Sequence, residues 1–283
     1  MVSRKLVRGS FNYDRKHYPS RNSPGILSGE LKGNGSGLVA FNRLTGKVIY
    51  QISNELASYS SPRLATISGR RWGLVLTRGG LLGFEPSRGQ VDFFFPWRAR
   101  RLETVNAATP VIVDDTVLIS EGYEVGSALL RIRPGGYEVV WKDSSGRAQT
   151  LQSHWSTPVY HQGYFYASSG KSSGSAELRC IEHLTGRVVW SQPGLGRSTL
   201  LYVDGHLLVL GEYGELRLIR ATPERYDLVA KVNLSKKKVL QSGGGEMPLL
   251  AFPAWNAPIL AHGQLYLLGR NTLVSLELIP GAD

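Results

Sequence analysis

The feature that most constrains this chain is a frame of eleven residues that occurs four times. The last copy, Cys180 to Trp190, turns tightly at Thr185-Gly186 and ends on an aromatic residue. Glycine supplies the positive φ that such a turn requires, and the short β-branched run after it favours a strand over a helix. Each copy is therefore predicted to be a β-hairpin. The earlier copies run from Ala40 to Tyr50, from Gly83 to Phe93 and from Arg131 to Trp141.

The four copies share a glycine in the turn and an aromatic residue at the end. Successive turn glycines are 43, 47 and 50 residues apart. A second marker, Ser, Thr or Ala followed by proline, opens a hydrophobic run between the hairpins, as at Thr157-Pro158. A period of about 40 to 50 residues with about four short strands per unit is the signature of a β-propeller. The shared positions, which we interpret as structural, are Gly46, Tyr50, Gly89, Phe93, Gly136, Trp141, Gly186 and Trp190.

We therefore predict an all-β protein, a β-propeller of four-stranded antiparallel blades with about six blades present. Residues 1–21 are basic and aromatic with little periodicity and are predicted to form an N-terminal arm, and residues 22–283 a single propeller domain. The first unit has room for about one strand before its hairpin, and the last unit, Ala257 to Ile279, ends before a fourth strand. Ser235 to Glu246 is predicted to be a flexible, basic and Gly-rich loop.

Two alternatives follow for the closure of the ring. If Lys5 to Arg8 pairs beside Leu273 to Leu278, the six units close and the protein is a monomer. If the front blades are missing, the chain forms an open or imperfect arc whose unpaired edges favour self-association. We favour the open arc, because the first unit has lost a strand.

Composition bears on the classes of partner. The net charge of +11 permits binding to nucleic acid, but the basic residues are scattered and no nucleic-acid-binding motif accompanies them, so we do not expect nucleic acid as a partner. We find no apolar run long enough to span a membrane and identify no signal peptide. Cys180 is the single cysteine; it cannot form an intramolecular disulfide and is predicted to be buried as a small hydrophobe.

The hairpin frame resembles the tryptophan-docking motif of the quinoprotein alcohol dehydrogenase-like propellers. Ala40, Asn42 and Thr45 match that motif, and Tyr50 occupies its Trp position. From about Ser23 to Ile279 the chain looks like the bacterial pyrroloquinoline quinone (PQQ)-like repeat proteins, and like one that lacks its front blades. The resemblance implies a periplasmic or extracytoplasmic location, for which the sequence itself carries no signal.

The enzymes of that superfamily use PQQ with Ca²⁺, and the resemblance implies an adjacent Cys-Cys disulfide, a catalytic Asp, and Glu and Asn metal ligands. A single cysteine cannot supply the disulfide, and no group of carboxylates has the spacing of a Ca²⁺ loop. We therefore predict no catalytic residue, no metal ligand and no cofactor. PQQ with calcium belongs to the alternative, a PQQ-dependent dehydrogenase acting on alcohols or sugars.

The leading hypothesis is a non-catalytic scaffold that binds a protein partner or a small ligand. In this the chain resembles the lipoprotein scaffold of the outer-membrane barrel assembly machine, which shares the repeat. The predicted site is the axial end where the innermost strands begin, because large polar and aromatic residues recur there. The alternative is that these residues cap the channel with hydrogen bonds and bind nothing. The candidate residues are Glu103, Asn106, Gln152, His154, Trp155, Arg197, Trp255 and Asn256.

Overall fold

A computed structural model of the chain describes residues 24–28, 37–56, 58–99, 106–144, 149–240 and 246–278. Over these ranges the chain consists of β-strands, turns and one 3-10 helix, Leu234–Lys236, and contains no α-helix. The prediction of an all-β fold is therefore confirmed. No helix in the described part of the chain has the length and apolar character needed to cross a membrane. The predicted arm, residues 1–21, lies outside the described residues.

Strands that follow one another in the chain pair as antiparallel meanders, so each sheet is one continuous stretch of sequence. Blade one contains β1 (Pro24–Ser28), β2 (Leu38–Asn42) and β3 (Val48–Ile52). Blades two and three have four strands each: β4 (Arg63–Ile67), β5 (Arg70–Leu76), β6 (Gly80–Glu85), β7 (Gln90–Pro96), β8 (Val111–Val113), β9 (Thr116–Glu121), β10 (Gly126–Arg133) and β11 (Gly136–Lys142).

The second half of the chain continues this arrangement. Blades four and five also have four strands each: β12 (Val159–His161), β13 (Tyr164–Ser169), β14 (Glu177–Glu182), β15 (Val188–Pro193), β16 (Ser198–Val203), β17 (His206–Gly211), β18 (Glu215–Arg220) and β19 (Leu228–Asn233). A two-stranded sheet of β20 (Lys238–Leu240) and β21 (Glu246–Pro248) comes next. Blade six has three strands, β22 (Ile259–Ala261), β23 (Gln264–Leu268) and β24 (Leu273–Glu277).

Of the segment predicted as a flexible loop, Ser235 to Glu246, the structure describes residues 235–240 and 246, and these belong mainly to a 3-10 helix and a hairpin. The Asn233 side chain accepts hydrogen bonds from the backbone N–H groups of Ser235 and Lys236 and so caps the 3-10 helix. Beyond the helix, Val239 pairs with Met247 in the small β20–β21 hairpin. The first residues of the segment are therefore held by the Asn233 cap, and the residues on either side of positions 241–245 pair with each other.

The central strand of each blade serves two interfaces, because successive side chains of a strand point to opposite faces. In β17, Leu207 and Val209 pack toward blade four, while Leu208 and Leu210 pack toward blade six. Apolar clusters of this kind join each pair of consecutive blades from one to six. Among the described residues no cluster joins blade six to blade one, and the predicted pairing of Lys5 to Arg8 lies outside them.

The hairpin frame forms the outer two strands of blades one to four, and these hairpins share one irregularity with the outer hairpin of blade five. One residue is inserted into the outer strand just before the terminal aromatic residue, so the pairing register shifts there. Such a bulge increases the local twist of the outer strand and re-aims the side chain beside it. In blade five the same position is Ala230, opposite Leu218, so no ring ends the outer hairpin of this blade.

Two of the four terminal rings, Tyr50 and Trp141, lie on the glycine turn of the next blade. A Cβ atom built on Gly89 would lie 2.5 Å from the Tyr50 ring, and one built on Gly186 would lie 2.8 Å from the Trp141 ring. The Trp141 indole Nε1 also donates a hydrogen bond of 2.8 Å to the carbonyl of His183 in the same turn. Glycine is therefore required at these two turns for two reasons. The backbone has a positive φ, +74° at Gly89 and +71° at Gly186, and a side chain would collide with the ring.

The other two rings contact the next blade differently. Trp190 donates from Nε1 to the carbonyl of Thr222 at 3.1 Å, in a turn that has no glycine. Phe93 packs against the ring of Tyr137 with centroids 5.3 Å apart. The ring-on-turn arrangement is thus variable in detail but always joins consecutive blades.

The third hairpin departs from the predicted frame because its turn is shorter. Arg133 pairs with Gly136, so only Pro134 and Gly135 form the turn between the strands. Gly135 is the residue with the positive φ, +78°. Gly136, the predicted turn glycine, is instead the first residue of β11. Trp141 pairs with Leu129, whereas in the other three copies the last residue of the frame pairs with the first. The frame in this blade is therefore shifted by two residues along β10.

Candidate functional site

Each four-stranded blade presents two segments side by side at one end, the one before its first strand and the one after its second. In blade five, Ser198 at the start of β16 pairs with Gly211 at the end of β17, which brings these segments together. Because the blades are neighbours around the propeller, such segments from blades three to six meet at this end. Four of the predicted site residues come together there: His154, Trp155, Arg197 and Trp255.

The centre of this end is an ion pair between Arg197 and Glu212, whose carboxylate is fully buried. Arg197 Nη2 donates to Glu212 Oε2 at 2.8 Å, and Nε lies 3.2 Å from both carboxylate oxygens. The backbone N–H of Arg197 donates to Oε1 at 2.9 Å, and the Trp255 indole donates to Oε2 at 3.2 Å. A buried carboxylate requires this degree of compensation by donors.

The pKa of Glu212 reflects that environment. Burial raises the pKa, but the hydrogen bonds from Arg197, Ser173 and Trp255 outweigh burial and lower the pKa to about 2. Glu212 is therefore ionised at neutral pH, and its charge holds the guanidinium of Arg197 in a fixed position.

Aromatic rings extend from Arg197 on both sides. The guanidinium carbon lies 4.4 Å from the centroid of the Trp155 ring and 5.5 Å from that of the Trp255 ring, within the range of cation–π attraction. The two indoles are themselves 5.1 Å apart, and His154 meets Trp155 edge-on at 5.2 Å. The imidazole of His154 is hydrogen-bonded to the Tyr123 hydroxyl at 3.0 Å.

On the far side of Trp255 the row of rings reaches solvent. Phe252 lies 6.4 Å from Trp255 and stacks on Tyr213 at 5.0 Å. Trp255, Phe252 and Tyr213 are 43%, 45% and 52% exposed in that order. We call the whole row the aromatic strip, which consists of Tyr123, His154, Trp155, Trp255, Phe252 and Tyr213.

A narrow crevice opens beside Arg197, with a space of about 160 Å³ that includes its open mouth. Its walls are His154, Trp155, Ser156, Ser168, Gly170, Arg197 and Ser198. The gap between these walls is too narrow for a water molecule. Four buried polar atoms on the walls have no hydrogen-bond partner among the described residues: His154 Nδ1, Trp155 Nε1, Ser156 Oγ and Ser198 Oγ.

The remaining predicted site residues have other positions. The Asn106 carboxamide donates to the carbonyl of Thr77 at 2.8 Å, which ties blade two to the segment before blade three. Gln152 bonds to the end of β13 through its backbone, and the Asn256 carbonyl accepts from Thr199 at 3.2 Å. Glu103 lies outside the described residues. None of these hydrogen bonds joins Asn106, Gln152 or Asn256 to Arg197, to Glu212 or to the aromatic strip, which together we call the Arg197 cluster.

Several members of the cluster were not predicted, above all Glu212 and Tyr213. A signal for them existed in the comparison of blades three and five. Glu121 ends β9, is buried and accepts from the backbone N–H of Ala99, much as Glu212 accepts from that of Arg197. In each blade a tyrosine follows the glutamate within two residues. Aligning the ends of the second strands would have shown this repeated pair.

In the described part of the chain no three His, Cys, Asp or Glu side chains lie close enough together to hold a metal ion. Cys180 is fully buried between blades four and five. Burial raises the pKa of its thiol to about 12; the hydrogen bond with Tyr166 lowers the pKa by less, and the charge of Glu224 raises it further. Such a thiol is protonated at neutral pH and is a poor nucleophile or metal ligand.

No protein-family model and no curated protein sequence matches this chain, but solved structures resemble it. BamB from Moraxella catarrhalis superposes with a TM-score of 0.59 at 11% identity, over 91% of this chain and 69% of that one. A protein of unknown function from Bacteroides caccae superposes with a TM-score of 0.50 at 18% identity, over 91% of both chains. At these identities the likeness shows the fold alone, and the β-propeller prediction is confirmed.

Proposed function

We propose that this chain is a non-catalytic, PQQ-like propeller that acts as a binding scaffold, with its binding surface at the end that carries Arg197. The observation that carries this proposal is the aromatic strip around the Arg197–Glu212 pair. Trp, Tyr and Arg are the residues that dominate binding hot spots between proteins. The outer three rings of the strip are about half exposed, although burial would stabilise the free protein more.

The shape of this end favours a protein partner over a small ligand. Pockets for small molecules are usually concave spaces of about 300–1,000 Å³, whereas the gap between the walls of the crevice is too narrow even for a water molecule. The aromatic strip extends across several blades and presents ring faces and edges to solvent. A protein surface can cover such a strip, with one of its side chains directed into the crevice.

The residues present do not fit PQQ with calcium. The chain has one cysteine, and within the described ranges no set of three carboxylate, thiol or imidazole groups converges. His154 is the most reactive type of side chain in the cluster, but burial and the charge of Arg197 lower its pKa, and its ring is hydrogen-bonded to the Tyr123 hydroxyl. We therefore derive no chemical step for this chain.

Self-association is part of the proposal for a separate reason. Blade six has three strands, and in the described part of the chain β24 pairs with β23 on one side alone. Leu273 and Leu278 at this edge are 66% and 48% exposed, and such edges recruit strands from other chains. We predict a mass above that of one chain in light scattering, increasing with concentration. A monomer at all concentrations would contradict this part of the proposal.

We test the binding surface by removing its two outermost rings, Tyr213→Ser with Phe252→Ser. We expect the immobilised double variant to capture much less protein from an extract of its own cells than the unmodified chain. The matched control is Tyr202→Ser, an exposed tyrosine at the opposite end of blade five. Equal capture by the double variant and the control, with both folded by far-ultraviolet spectroscopy, would contradict the proposed surface.

A further inference from the structure

The crevice beside Arg197 contains an unusual concentration of buried hydroxyl groups without partners. Ser198 and Ser156 are 1% and 5% exposed, and neither hydroxyl has a hydrogen-bond partner among the described residues. Burying a polar group without a partner costs stability, so native proteins contain few such groups. Two of them on the walls of one crevice, together with the unpaired Trp155 indole N–H, indicate a place prepared for a ligand.

The walls of the crevice mainly offer hydrogen-bond donors. The Trp155 indole N–H can donate but not accept, and both serine hydroxyls can donate. The guanidinium of Arg197 uses Nε and Nη2 for Glu212, while Nη1 makes one long bond of 3.4 Å to the carbonyl of Lys171. Arg197 therefore retains donors of its own. A ligand that matches this wall must bring several acceptors in a small volume.

We propose that the crevice receives a carboxylate group of the protein partner, an inference that rests on the proposed function. A carboxylate is flat, ends the side chains of Asp and Glu and the chain itself, and accepts about four hydrogen bonds. The net charge of +11 attracts it at long range. Glu212 already balances Arg197, so a doubly charged phosphate would be repelled by Glu212 more strongly than a singly charged carboxylate.

Entry of the carboxylate requires the crevice to widen. Arg197 is fixed by Glu212, and Ser198 is fixed through its backbone N–H, which donates to the Ser168 hydroxyl at 3.0 Å. His154 and Trp155 are half-buried. The Trp155 indole N–H has no hydrogen-bond partner among the described residues, so we expect the crevice to widen by rotation of this ring. Rotation of Trp155 also alters the exposed part of the aromatic strip, so insertion of the carboxylate and contact with the strip are coupled.

The indole N–H resonance of Trp155 in a ¹⁵N-labelled protein tests this proposal, with Trp155→Phe for its assignment. We expect a saturable downfield shift with N-acetylglutamate α-amide and no shift with N-acetylglutamine α-amide over the same concentrations. N-acetylalanine provides a terminal carboxylate, and the stronger of the two carboxylates identifies the source in the partner. Equal shifts with the glutamine compound, shifts with inorganic phosphate but not with carboxylates, or no shift with any probe would overturn the carboxylate proposal.

The double variant Ser156→Ala, Ser198→Ala separates a ligand role from a structural one. We expect a higher urea midpoint for the free protein, because two unpaired buried hydroxyls are removed. The dissociation constant for N-acetylglutamate α-amide should rise about tenfold or more. A lower midpoint, or unchanged affinity, would overturn the proposal. If the unmodified protein shows no carboxylate response while the Tyr213 and Phe252 rings still govern capture, the carboxylate proposal is overturned and the proposed function stands.

Discussion

Replacing Gly186 by alanine is expected to destabilise the protein by about 3 kcal/mol, as the sum of two effects. The first is backbone strain, because alanine does not readily adopt the φ of +71° found here. The second is displacement of the Trp141 ring, because the new Cβ would lie 2.8 Å from it. Moving the ring also breaks its hydrogen bond to the carbonyl of His183. Urea unfolding with linear extrapolation measures the sum.

Two other glycines separate these effects. Gly46 occupies the same turn of blade one with a φ of +70°, but no described atom lies within 4 Å of the position that a Cβ would take there, so Gly46→Ala should cost about 1 kcal/mol from strain alone. Gly174 has neither a positive φ nor a close neighbour among the described atoms, and its substitution should change stability by less than about 0.5 kcal/mol. If Gly186→Ala costs no more than Gly46→Ala, the ring of Trp141 does not depend on this glycine.

Replacing Glu212 by glutamine is expected to cost about 3 kcal/mol at neutral pH, because it leaves the charge of Arg197 without its buried partner. Glutamine retains the shape of glutamate but replaces one acceptor oxygen by a donor group. That group faces the donors of Arg197 or Trp255. The loss is measured as the change in the free energy of unfolding at pH 7.

The pH dependence of stability provides a second measurement of the same carboxylate. Its pKa in the folded protein, about 2, is below the ordinary value of 4.5. A lowered folded-state pKa contributes stability that is fully present above the unfolded-state value and is lost as the pH falls through the folded-state value. Part of the stability of the protein should therefore disappear between about pH 5 and pH 2. Glu212→Gln should lack that part.

An exposed ion pair of the same length is the matched control. Lys238 and Glu246 are also 2.8 Å apart, but both side chains are more than half exposed. Glu246→Gln should change stability by less than about 1 kcal/mol, because solvent screens such pairs. Similar losses for Glu212→Gln and Glu246→Gln would show that burial does not strengthen the pair at Arg197.

Much of the fold could be predicted from the sequence because its main determinant is local and repeated. A glycine turn followed by an aromatic residue, as at Gly186 and Trp190, is visible in a single hairpin, and its period indicates the propeller. The predicted register of the third blade is wrong because its turn contains Pro134-Gly135 followed by a second glycine, Gly136. The sequence shows that a glycine is present but not which of two neighbours adopts the positive φ.

The candidate site could be predicted in part. The position of Arg197 and Trp255 before a first strand follows from the order of strands, and both belong to the cluster. Glu212 was missed because it follows a second strand, and nothing local shows that it is buried against the preceding segment of the same blade. Asn106 was predicted for the site because of its position, but its bond to Thr77 depends on the path of the linker.

Photo-crosslinking tests the central claim, that the Arg197 end of the propeller binds a protein partner, most directly. A benzophenone amino acid is placed at Tyr213 in the aromatic strip or at Tyr202 at the opposite end of blade five, and each variant is irradiated in an extract of its own cells. We predict a discrete crosslinked product from position 213 and none from position 202. Products at both positions in equal yield, or at position 202 alone, would contradict the claim.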